Sequence, residues 1–198
     1  MSKTVILNER QLKALEKFYL LETVTYSDVT KEAEKADKSP TERKKKAGNY
    51  RMGHVNIKGF KITIENAKGS YRYYKDESGK ECKNKMMNHY GYFSNTKGHD
   101  SDHIDVFIGP YMEFKTVYVV DQNNPKGEFD ESKVMLGFKT AESAKKAYLS
   151  NYDKNWKGFR AITGVDIKTF KEWLYDGYKQ WKPFSEYLGI KELNGNDK

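Results

Sequence analysis

At 198 residues the chain can hold one domain of ordinary size plus an appendage, and a core of that size needs no disulfide staples, which the single Cys82 could not supply within the chain. The apolar run in Met1–Leu7 is too short for a signal peptide, and no stretch of about eighteen apolar residues follows, so a secreted disulfide scaffold and a membrane protein are excluded and a soluble, cytoplasmic protein is expected. The net charge of +8, from 36 basic and 28 acidic residues, invites a polyanionic partner, either nucleic acid or a small phosphate compound.

In chain order, Asn8 is a plausible N-cap for an amphipathic helix carrying Leu12, Leu15, Phe18 and Tyr19 on one face. A second, polar helical stretch is expected over Tyr26–Ala36. Ser39-Pro40-Thr41-Glu42 then forms a helix start with a cap, a proline at the first position and an acid three residues after the cap. Gly48 closes that short helix, whose run Arg43-Lys44-Lys45-Lys46 reads more readily as a solvated face than as a nucleic-acid contact. Residues 1–47 are expected to be a helical appendage that could dock a protein partner, residues 48–190 the main domain, and residues 191–198 a disordered tail.

Beyond Gly48 the period changes to two. His54–Glu65 alternates apolar and polar residues around Gly59 and predicts two strands and a turn. Residues 66–70 predict a loop, Tyr71–Tyr74 a strand, and residues 75–79 a turn. Val106–Ile108 and Thr116–Val120 are the clearest core strands, with another over Lys133–Leu136. The helical period returns at Ala141–Tyr152 and Ile167–Trp181. Short strands followed by helices indicate an α+β fold.

The chemistry concentrates between Asn88 and Val106. Asp100, Asp102 and Asp105 fall within six residues, directly before the apolar Val106-Phe107-Ile108. Like charges so close repel, and hard oxygen ligands suit magnesium, manganese or calcium. Taken alone, D-x-D-x-x-D fits a solvated acidic turn equally well. An EF-hand is excluded, because its required glycine and glutamate are replaced by Asp105 and Tyr111. His99 and His103 have the i, i+4 spacing of a zinc pair, but Gly98 and the aspartates make a helix there improbable.

With its flanks included, this stretch resembles the centre of the soluble inorganic pyrophosphatases, where a Tyr-Gly-Tyr segment precedes D-G-D-P-x-D. It is closer still to the pyrophosphatase-like domain carried by bacteriophages and prophage polyproteins. The blocks that carry the likeness are Ala47–Tyr50, Gly53–Val55, Ile62–Ser70, His89–Tyr92, Asp100–Pro110, Val119–Gln122 and Phe129–Phe138. His103, standing where proline is usual, agrees with the phage-type pattern.

That resemblance implies a small OB-like β-barrel with packed C-terminal helices, and hydrolysis of pyrophosphate by water activated on several Mg2+ ions, with Mn2+ as an alternative. By position it implies Asp100, Asp102, Asp105, Asp121, Asp130 or Glu131, and Glu65 as metal ligands, Asp102 also serving as base. It implies Tyr90 beside the attacking water, Lys133 and Arg72 on the phosphates, and Tyr152 with Lys154 on the leaving group. The step from Asp130 to Lys133 is one residue longer than the family's, which favours Glu131 or a shifted loop. A nucleotide substrate, and a non-catalytic module that binds a host protein or nucleic acid, are the alternatives, and a homo-oligomer is expected.

Overall fold

The computed structural model describes residues 8–11, 13, 24–41, 43–44, 47, 49–75, 79–98, 102–176 and 181–195, with the backbone alone over 190–195. Asn8 and Gln11 exchange side-chain-to-backbone hydrogen bonds of 3.1 and 2.9 Å, a reciprocal helix cap. Leu12, Leu15, Phe18 and Tyr19, and with them the apolar face expected of that helix, lie outside the described residues, as does Glu42 of the second expected cap.

Helix α1 (Tyr26–Ala33) begins at Thr25, which forms a capping box with Asp28, and it ends three residues before the expected Ala36. It is not a detached appendage. Val29 and Ala33 are wholly buried in the main core, and α1 packs so closely on strand β1 (Gly53–Ile57) that a Cβ at Gly53 would lie 2.2 Å from the Glu32 carbonyl oxygen. The body of the protein therefore extends upstream of the boundary expected at residue 48.

Strand β1 turns into β2 (Phe60–Asn66) through Lys58 and Gly59, both at positive φ (51° and 86°), the two-residue hairpin that the alternation predicted. β3 (Tyr71–Lys75) and β4 (Glu81–Lys85) form a separate two-stranded hairpin. β5 (His89–Phe93), β6 (Asp105–Ile108), β7 (Thr116–Asn123), β8 (Phe129–Leu136) and β9 (Phe159–Asp166) join β1 and β2 in a seven-stranded sheet, in the order β1-β2-β5-β6-β8-β7-β9. Its pairings are antiparallel except β6 with β8, where Val106, Phe107 and Ile108 lie beside Val134, Met135 and Leu136. Gly91 permits the β2–β5 approach, since a Cβ there would fall 1.9 Å from the Thr63 carbonyl oxygen. The fold is mixed α+β. Among the described residues no pairing joins β9 to β1, so the strand order does not draw the closed barrel of the resemblance.

Both faces of the central strands are covered, which is why Val106–Ile108 and Thr116–Val120 read as unbroken apolar runs. Val106, Ile108, Val117, Val119, Val134 and Leu136 point to one face, beneath α1, α3 (Ile167–Leu174) and α4 (Phe184–Gly195). Phe107, Tyr118, Val120 and Met135 point to the other, beneath α2 (Ala141–Ser150). α3 stops at Leu174 rather than continuing to Trp181, and α4 carries residues 191–195 that had been assigned to a disordered tail.

His89 ties α1 to the sheet. Its Nδ1 accepts from the Lys68 backbone N–H at 3.0 Å, so the neutral ring carries its proton on Nε2, 3.1 Å from the Thr30 hydroxyl, which itself donates to the Tyr26 carbonyl. Burial, with Lys68 adding to it, lowers the imidazole pKa from 6.5 to about 4. Between these values the unfolded chain takes up a proton that the folded chain refuses, so this contribution to stability is complete above pH 6.5 and is lost as pH falls towards 4. Thermal unfolding midpoints followed between neutral pH and about pH 4 should fall less steeply for His89→Gln than for the native chain. Parallel curves would exclude His89 as the titrating group.

Candidate active site

The residues of the second face converge because side chains on neighbouring strands alternate in phase. Glu65 on β2, Tyr90 on β5, Asp105 on β6 and Lys133 with Glu131 on β8 all project towards the side that holds Phe107 and Val120. Lys133 is the centre. Only 3% exposed, it contacts the Asp105 carboxylate directly and lies 2.6 Å from Glu131. Burial alone would depress its pKa, but Asp105, Tyr90 and Glu131 outweigh that and hold it charged, well above the ordinary lysine value.

Tyr90 donates to Asp105 Oδ2 at 2.5 Å, and its hydroxyl is held protonated by burial and by that carboxylate. Arg72, from the β3–β4 hairpin, places its guanidinium 4.8 Å from the centre of the Tyr90 ring, a cation–π contact at the edge of the acidic group. Glu65 accepts from the Tyr50 hydroxyl at 2.7 Å. Its pKa is raised, chiefly by burial and further by Asp105, with the Tyr50 hydrogen bond opposing.

Gln122, which the sequence reading passed over, organises the far side. Its Nε2 donates to Glu131 at 2.9 Å and to Asp130 at 3.4 Å, and its Oε1 accepts from Tyr148 at 2.8 Å and Tyr152 at 3.1 Å. The Tyr152 ring stacks on Trp156 at 4.5 Å, and Trp156 Nε1 donates to the Tyr148 hydroxyl. Burial raises the pKa of both tyrosines, keeping them donors at neutral pH.

Asp121 does not join the cluster. It lies on the opposite face, fully buried, with Oδ1 accepting from Phe184 N–H and the Ser132 hydroxyl and Oδ2 from Ser185 N–H and its hydroxyl. Its carboxylate is spent on the start of α4. Lys154 is exposed in the turn after Tyr152 and makes no hydrogen bond or ion pair to the cluster among the described residues. Asp102 is exposed on the loop leading to β6, its carbonyl accepting from Gly98 N–H, and Asp100 and His99 lie outside the described residues. His103 stacks on Tyr92 at 4.6 Å, with Nδ1 2.6 Å from the Thr96 carbonyl.

The donors are carboxylate oxygens, hard ligands of the kind Mg2+ prefers. Among the described residues no three acidic, imidazole or thiol side chains stand close enough to hold an ion together, and Lys133 supplies the positive charge against Asp105 and Glu131. Fixed cations, tyrosine hydroxyls and carboxylates on one wall suit the handling of a phosphorylated substrate.

The model of the inorganic pyrophosphatase family matches residues 42–175, about two-thirds of the chain. The chain belongs to the inorganic pyrophosphatase family, which supports pyrophosphate hydrolysis at the level of the family. No curated protein matches it. No helix among the described residues is long and apolar enough to cross a membrane.

Removing the central cation leaves two partly buried carboxylates facing each other. Lys133→Met should cost about 3 kcal/mol, because it leaves the Asp105 and Glu131 carboxylates without their shared cation. Urea unfolding of Lys133→Met beside Lys133→Arg measures it, and an arginine chain no more stable than the methionine chain would point to packing rather than charge.

Proposed function

We propose that the chain is a magnesium-dependent inorganic pyrophosphatase of the phage type, acting in the cytoplasm. What supports this reading is the gathering of Glu65, Tyr90, Asp105, Glu131 and Lys133 on one sheet face, with Arg72 laid over Tyr90, together with membership of the family.

Asp100, Asp102 and Asp105, with Glu131, Asp130 and Glu65, are the residues that would hold Mg2+. Asp121 is left out because its oxygens are engaged at α4. When bound, the ions neutralise phosphate oxygens and make water more acidic. Lys133 and Arg72 supply fixed positive charge for the phosphates, and the Tyr90 and Tyr152 hydroxyls, held on Asp105 and Gln122, are in place before substrate arrives, so little reorganisation accompanies the reaction. Asp102, exposed on the loop leading to β6, takes the proton of the attacking water, and Lys154 meets the departing phosphate.

Phosphate release from pyrophosphate should require Mg2+, and Asp102→Asn should lower kcat at least ~10²-fold with little change in KM, the pattern of a group that acts in the transition state. Release that persists without metal, or an Asp102→Asn chain of native activity, would overturn the assignment.

A further inference from the structure

Gln122 is only 5% exposed, and both ends of its amide are engaged. Ionised carboxylates accept hydrogen bonds and cannot give them, so Nε2 must face Glu131 and Asp130, and Oε1 must face the hydroxyls of Tyr148 and Tyr152. The amide thereby joins the acids beside Lys133 to the two tyrosines at the end of α2. Both irregularities in the pairing of β7 fall at this residue. Gln122 lies opposite Glu131 and Asn123 opposite Phe129, which leaves Asp130 as an extra residue in β8. On the other side Asp121 lies opposite Ala161 and Gln122 opposite Phe159, which leaves Arg160 as an extra residue in β9. A bulge re-aims the side chains around it, and two that meet at one buried amide fix where that amide points.

The acceptor end carries two donors of unequal standing. Tyr148 is wholly buried, gives its hydrogen to Oε1 at 2.8 Å and takes one from Trp156 Nε1 at 3.0 Å, so it is held from both sides. Tyr152 is half-buried and donates over the longer distance of 3.1 Å, with its ring stacked on Trp156. The Tyr152 hydroxyl can therefore turn its hydrogen to a phosphate oxygen while the ring stays in place. Oε1 then still has Tyr148. Without that second donor the turn would strand a buried acceptor, which offsets most of what the new hydrogen bond returns.

We propose that Gln122 is a positioning residue for pyrophosphate hydrolysis: it keeps Glu131 on Lys133 and presents the Tyr152 hydroxyl to the leaving phosphate, with Tyr148 keeping the amide paired when that hydroxyl turns. This rests on the hydrolase reading above and adds to it the residues that set its geometry. Gln122 touches no reacting atom; it acts through Glu131 and Tyr152.

The test measures phosphate release from pyrophosphate with Mg2+ present, each chain assayed below its own unfolding midpoint. Gln122→Met should lower kcat ~10-fold or more with little change in KM, the pattern of a contact made in the transition state. Gln122→Glu keeps an acceptor for the tyrosines but sets a like charge against Glu131, so it should not restore the native rate. Tyr152→Phe should slow the native chain and add little to Gln122→Met, because the two residues act as one unit. A merely structural role would lower the unfolding midpoint and leave the Tyr152→Phe effect equal in both backgrounds, and that result, or native kcat in Gln122→Met or Gln122→Glu, overturns the assignment alone. Should Gln122→Met not fold, Tyr148→Phe decides with the amide intact: kcat lowered ~10-fold supports the assignment and native kcat overturns it. A native chain that releases no phosphate overturns the hydrolase reading, and this assignment falls with it.

Discussion

A lysine ammonium buried between two carboxylates is the interaction on which the rest of this structure depends. Lys133 is almost wholly removed from water, and a charge so placed costs several kcal/mol unless its partners are held in place. Those partners come from two strands. Glu131 lies two residues away on β8 itself, and Asp105 reaches Lys133 because β6 and β8 run parallel with Val106 beside Val134. A slip of one residue in that pairing would turn Lys133 into the apolar layer that holds Val134 and Leu136. The apolar residues and the charged ones therefore specify the same register, and the single parallel pairing among the described strands is the one that the site needs most.

Strand β7 shows how one segment serves both layers. Val117, Val119 and Asp121 face the larger core, while Tyr118, Val120 and Gln122 face the site. Adjacent polar residues at the end of the strand consequently have unrelated duties. Asp121 gathers four donors and fastens α4 to the sheet, whereas Gln122 has all four of its contacts directed at the acids and tyrosines around Lys133. An amide suits the latter position because it donates to carboxylates on one side and accepts from hydroxyls on the other without adding charge.

This division also marks what the sequence could reveal. Asp105, the core strands over 106–108 and 116–120, and the hairpin at Lys58-Gly59 were legible, because each has a local signature in charge, in an apolar run or in turn chemistry. The face of Asp121 was not: when both sides of a strand are apolar, period two sorts residues into two sets without saying which set meets the site. Strand β9 escaped notice because it is mostly half-exposed, with Gly164 in its interior, and its alternation is weak. α1 read as a polar appendage because two small side chains, Val29 and Ala33, make its contact, and the close approach that they need is supplied by Gly53, twenty residues further on.

The site combines two kinds of support. Glu65, Tyr90, Asp105, Lys133 and Glu131 stand on paired strands, where backbone hydrogen bonds on both sides limit movement, so their mutual charges are organised before any ligand arrives. Asp102 stands on a loop, but one anchored on either side of it. Thr96 is buried and bonds both the Phe93 carbonyl and the Ile104 N–H, and His103 rests on Tyr92. The acid is thus open to solvent on a loop fastened at Thr96 and Ile104, while the sheet-borne residues are held by strand pairing on both sides.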